Sequence, residues 1–100
     1  MAKNINYIEH LRGDYRFTIL HCANGDKCLI SFDTYICHLK LDKKTCCYQY
    51  FIDNSYKGLT DLTKEYIAYF FNRFGSAITK WEDVLKCIDQ KVIKVKFLEL

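Results

Sequence analysis

The side chains able to do chemistry in this 100-residue chain are chiefly six cysteines and three histidines, most of them in its first half. His21-Cys22, Cys28 and Cys37-His38 hold the two ligand types that zinc takes from a protein, thiolate and imidazole. Close ligand pairs of the Cys-x2-Cys kind, the usual mark of a structural zinc site, are absent. Disulfide frameworks belong to small secreted domains, and Met1-Ala2-Lys3-Asn4 opens no secretory leader. The cysteines therefore read as reduced, buried thiols acting as small apolar groups, with no metal and no cofactor.

Catalytic patterns are missing as well. There is no nucleophile motif, no phosphate-cradling glycine loop and no metal-binding helix pattern, so no enzymatic activity is expected. His38, near Lys40, reads as solvated. Glu82-Asp83 falls in the first turn of an expected helix, where carboxylates complement the helix dipole.

Basic residues are more suggestive. The formal charge is +3 and the pI about 8.5, a mild surplus compatible with nucleic acid. Arg12 and Arg16 bracket a loop, Lys43-Lys44 precede an expected strand, and Arg73 and Lys80 flank a later turn. On loops of a rigid β-scaffold, such long cations can reach phosphates in a fixed register.

The elements that would position these groups follow from pattern. Half of the residues are hydrophobic and 16% aromatic, enough to build a core in one domain spanning 1–100. No apolar run approaches the roughly 20 residues of a membrane span, which predicts a cytoplasmic protein. Ile5–Glu9 reads as a short strand. Asn24-Gly25 predicts a two-residue type I′ turn, which would set Cys22 opposite Lys27, Leu20 opposite Leu29 and Phe17 opposite Phe32. Phe17, Ile19, Cys28, Ile30 and Phe32 would then share the core face.

Phe32, Tyr35, Ile36 and Leu39 recur at helical spacing, predicting a short helix over residues 31–41. Cys46–Ile52 reads as a strand. Leu59–Phe74 fits either a helix capped at Thr60-Asp61 or a buried strand through Tyr66–Phe71. Thr79-Lys80-Trp81-Glu82 has the form of a capping box, with Trp81, Val84, Leu85 and Ile88 as the apolar face of the helix behind it. Lys91–Leu100 alternates apolar and charged residues and reads as a final strand.

The run Ile5-x-Tyr7-Ile8-Glu9, then Gly13-Asp14-Tyr15, then a hairpin with Asn24-Gly25 resembles the LytTR-type DNA-binding domain of bacterial transcriptional regulators. Ser31-Phe32, Tyr35 or Ile36, and Leu39 are similar to that family's next helix; Asn54 stands where its central strand closes, and Ile78-Thr79 where its last helix opens. The family's Arg, His and Ser on the central strand are replaced here by Cys46, Tyr48 and Tyr50.

The resemblance implies a mostly-β domain with two short helices, in the order β-β-β-α-β-β-β-α plus a C-terminal strand. It places Leu59–Phe74 in strands and the last strand in the position of a missing first one, in cis or swapped from a dimer partner. It implies a standalone bacterial regulator whose loops enter the grooves of double-stranded DNA. Tyr15, Gln49, Asn54 and Lys80 would be contacts, with Arg12 and Arg16 added from charge and loop position. Two alternatives stay open. One is a relative without DNA contacts, a homodimer or protein-partner module using Tyr48, Tyr50, Tyr56, Tyr66 and Tyr69. The other is an unrelated α+β domain in which Leu59–Phe74 and Thr79–Gln90 form a helical hairpin.

Overall fold

A computed structural model describes residues 4–99; Met1–Lys3 and Leu100, which the leader and last-strand expectations include, lie outside the described residues. The chain builds one six-stranded sheet in sequential order, β1 (Ile5–His10), β2 (Phe17–Cys22), β3 (Lys27–Ser31), β4 (Thr34–Asp42), β5 (Cys47–Asp53) and β6 (Ile93–Lys96). The first five strands are an antiparallel meander. β6 joins parallel to β5, and the chain gets there through α1 (Asp61–Arg73) and α2 (Trp81–Asp89). The class expected, mostly β with two helices, is the class observed. The order differs: both helices come as a consecutive pair after five strands.

The hairpin between β2 and β3 forms at the expected place but one residue out of the expected register. Leu20 faces Cys28 and Phe17 faces Ser31. Gly25 N–H donates to the Cys22 carbonyl and Cys22 N–H to the Asp26 carbonyl, so the loop holds three residues, Ala23 to Gly25. Gly25 supplies the left-handed position, at φ +94. Asn24 does not sit in a type I′ turn; its side chain accepts from Asp26 N–H at 2.9 Å. A one-residue slip turns every side chain of β3 over. Leu29 therefore joins Phe17 and Ile19 in the main core, while Cys28 and Ile30 face the other way with Leu20 and Cys22.

The helix expected over residues 31–41 is a strand. A bulge between the Leu29 and Ile30 pairings inserts Ile36 into β4, which gives Tyr35, Ile36 and Leu39 a false helical spacing. Beyond it, Cys37 and Leu39 enter the core while His38 and Lys40 take the opposite face, the period of two that defines a strand.

The stretch Leu59–Phe74 holds the helix α1 (Asp61–Arg73) and not the strands that the resemblance implied. Thr60 Oγ1 accepts from Thr63 N–H, and Thr63, Ile67, Phe70 and Phe71 form one buried stripe. α2 starts one residue later than the capping box predicts. Lys80 is the N-cap residue and makes no side-chain cap; Asp83, not Glu82, reaches back, accepting from Thr79 N–H and Oγ1 at 3.0 Å each. Val84 is buried, Trp81 and Ile88 partly so, and Leu85 stays exposed.

Both helices lie on one face of the sheet and enclose the main core of Phe17, Ile19, Leu29, Leu39, Phe70 and Phe71, among others. Tyr48, Tyr50, Tyr56 and Tyr66 pack against it, so four of the five tyrosines expected on a partner face help close the core instead. Glu9 of β1 ties the end of α1 to the sheet by pairing with Arg73 and with His21 Nε2, the latter at 2.8 Å. His21 Nδ1 is buried with no hydrogen-bond partner among the described residues. No helix among the described residues is long and apolar enough to cross a membrane.

Candidate functional site

The face of the sheet away from the helices holds two adjoining groups of side chains. The first sits on β3 and β4 behind the hairpin. Cys28 and His38 are direct cross-strand partners, with Cys28 Sγ 3.4 Å from His38 Nδ1. His38 Nε2 lies 3.0 Å from Asp26 Oδ2, and Asp26 Oδ1 accepts from Leu41 N–H at 3.0 Å. The Tyr35 hydroxyl contacts His38 Nδ1 and lies 3.2 Å from Cys28 Sγ.

Burial, and next the Cys28 thiol, push the Tyr35 phenol well above its ordinary pKa, so it keeps its proton. A protonated phenol donates to Nδ1, which places the imidazole proton on Nε2, directed at Asp26. Thiol, phenol, imidazole and carboxylate thus form a chain of contacts from Cys28 through Tyr35 and His38 to Asp26, along which a proton can leave the sulfur. Cys28 is 0% exposed, so its sulfur does not face solvent. Among the described residues no group of three or more His, Cys, Asp or Glu is placed to hold a metal ion.

The second group continues across β4, β5 and β6. Strand register sets His38, Phe51 and Lys94 side by side, and Lys40 beside Gln49 in the next row. The rings of His38 and Phe51 are 6.1 Å apart, and the Lys96 ammonium lies 4.9 Å from the Phe51 centroid, within cation–π range. Phe97, just past β6, is 66% exposed. Between His38, Lys40, Phe51, Lys96, Phe97 and Glu99 lies an open recess of about 320 Å³. Lys40 and Lys96 bring positive charge to this recess, Phe51 and Phe97 aromatic surface, and Glu99 a carboxylate. A larger recess of about 440 Å³, between α2 and the start of β6, is mainly apolar.

The sequence-predicted contacts divide over three places. Arg12, Tyr15 and Arg16 share the β1–β2 connection, and Asn54, right after β5, lies at the same end of the sheet by strand register. Tyr15 is 78% exposed there. The two arginines have partners already. Arg16 forks onto Asp14 at 2.9 and 2.7 Å, which holds that carboxyl down to about 2, and Arg12 lies over the Tyr66 and Tyr69 rings at 5.5 and 5.1 Å. Gln49 is on the helix-free face. Lys80 is in the helical layer, at the start of α2.

Sequence reasoning missed Phe51, Lys40 and the Asp26–His38–Cys28 line as parts of one site. The alternation Cys37-His38-Leu39-Lys40-Leu41-Asp42 was the available signal, since a strand there sends His38 and Lys40 to one face. The convergence of Asp26 on His38 has no local signal; it depends on strand pairing.

The comparisons with known proteins found no matching family, no matching curated protein and no matching solved structure.

Proposed function

We propose that this domain binds nucleic acid on the helix-free face of β4, β5 and β6, taking an unpaired strand. The observation that carries this reading is the row His38–Phe51–Lys94 on three neighbouring strands, with Lys96 over the Phe51 ring. Every base has a π face, so an aromatic surface flanked by lysines accepts a single strand: bases stack on the rings and ammonium groups meet the phosphates. Phe51 and Phe97 are the stacking groups. Lys40, Lys94 and Lys96 are the phosphate contacts, and Gln49 offers a donor and an acceptor to a base edge. The formal charge of +3 favours a polyanion at longer range.

A second reading follows the LytTR resemblance: a regulator that puts the β1–β2 loop into duplex DNA. It is supported by the exposure of Tyr15 and by Asn54 at the same end of the sheet. Fluorescence anisotropy with one oligonucleotide, offered single-stranded and then as its duplex, separates the two. Preference for the single strand, with NMR shifts at Phe51, Lys94 and Phe97, supports the first reading. Preference for the duplex, with shifts at Tyr15, Arg16 and Asn54, replaces it by the second.

A further inference from the structure

Cys22 and Cys28 stand on the helix-free face with their sulfurs 4.0 Å apart. They occupy neighbouring strands on a diagonal: Cys28 is paired with Leu20, two residues before Cys22. Both face the same way because the three-residue loop sets this register; the two-residue turn would have put them on opposite faces. Cys22 is 5% exposed, while Cys28 is sealed and rests against His38, itself held by Asp26. Two buried thiols in contact, the first retaining slight exposure and the second fully enclosed with a base within reach, have the layout of an attacking and a resolving cysteine.

We infer that Cys22 and Cys28 are an oxidation site for hydrogen peroxide, closing to a disulfide as His38 accepts the Cys28 proton by way of the Tyr35 hydroxyl. Cys22 sulfur attacks one peroxide oxygen and the O–O bond breaks. The departing hydroxide takes the thiol proton as water, leaving a sulfenic acid on Cys22. Cys28 passes its proton to the Tyr35 hydroxyl, which hands its own on to His38 Nδ1, and the Cys28 sulfur attacks Cys22. The S–O bond breaks, and the hydroxide released takes the proton back from His38 as a second water. Two thiols lose two hydrogens, and one peroxide becomes two waters. Asp26 is a positioning residue: its carboxylate steadies the imidazolium formed between the two transfers.

The sulfurs must close from 4.0 Å to about 2 Å, a move that falls on two side chains and the short loop end of the hairpin. The remaining cysteines provide internal comparisons. Cys37 is fully buried, and burial pushes its thiol well up, so it stays protonated. Cys46 and Cys47 are exposed, and their thiols donate to the Lys43 and Thr45 carbonyls.

The test treats the reduced full chain with limiting hydrogen peroxide, alkylates the remaining thiols and maps the peptides by mass spectrometry. The expected result is a Cys22–Cys28 linked peptide appearing before any other cysteine product. His38→Gln should slow closure roughly tenfold or more, with the Cys22 sulfenic acid accumulating and trapped by dimedone. Cys28→Ser should stop at that same sulfenic acid, which keeps the test open if His38→Gln fails to fold. Recovery of Cys22 and Cys28 as thiols while Cys46 or Cys47 is oxidised would overturn the inference. So would closure at an unchanged rate in folded His38→Gln. None of these readouts depends on nucleic-acid binding.

Discussion

The Lys96 ammonium stands 4.9 Å from the centre of the Phe51 ring, and Phe51 is itself the in-register partner of Lys94. One cation thus lies over this ring and a second stands beside it in strand register, on the sheet face away from both helices. A base stacked on Phe51 would have a lysine within reach of its phosphate, and stacking and charge would contribute separately. Phe51→Ala should weaken single-strand binding by about 1–3 kcal/mol, the usual worth of one stacked base, with the salt dependence unchanged. Anisotropy titrations at two salt concentrations check both parts.

Gly25 sits at φ +94, and a Cβ there would collide with the side chain of Leu41. Backbone strain carries the cost, because the nearest atom is the outer methyl of the flexible Leu41 side chain, which can turn aside; Leu41 also donates its backbone N–H to Asp26. Gly25→Ala should therefore cost about 1–3 kcal/mol, read as a lower urea midpoint. An unchanged midpoint would mean that the loop does not hold this register.

Acid should destabilise the fold in two stages. Burial lowers the pKa of His21 from its ordinary 6.5, so as the pH drops below that value the unfolded chain takes up a proton the folded chain resists. Further down, the carboxyls follow. The Arg73 hydrogen bond holds Glu9 below its ordinary 4.5, and Arg16 holds Asp14 down to about 2, so both are protonated first in the unfolded chain. All three depressed values act in the same direction: stability falls as the pH is lowered from about 6.5. Urea unfolding at three pH values checks this, and Asp14→Asn should flatten the lower stage. Greater stability at acid pH would contradict it.

How far the sequence could be read depended on whether a local pattern had one physical cause. Asn24-Gly25 marked the hairpin, but whether two or three residues form the loop depends on which residue takes the left-handed conformation, and that moved every side chain of β3. Tyr35, Ile36 and Leu39 mimicked a helix because a bulge inserted one residue into a strand. Residues 59–74 fitted helix and strand alike; their apolar stripe of Ile67, Phe70 and Phe71 packing onto the sheet accompanies the helix seen. Lys94 and Lys96 were legible as one face of a final strand. Their meeting with Phe51 was not, because it comes from the parallel pairing of β5 and β6, whose partners are some 40 residues apart.

The most direct test of nucleic-acid binding on this face is the salt dependence of single-strand affinity, for the unaltered chain and for the triple change Lys40→Gln, Lys94→Gln, Lys96→Gln. Each phosphate contact contributes about 0.7 to the slope of log affinity against log salt, so the triple change should reduce that slope by about 2. An unchanged slope in the triple variant, with the loss appearing instead on removing Arg12, Arg16 or Lys80, would place the contacts elsewhere and contradict the account.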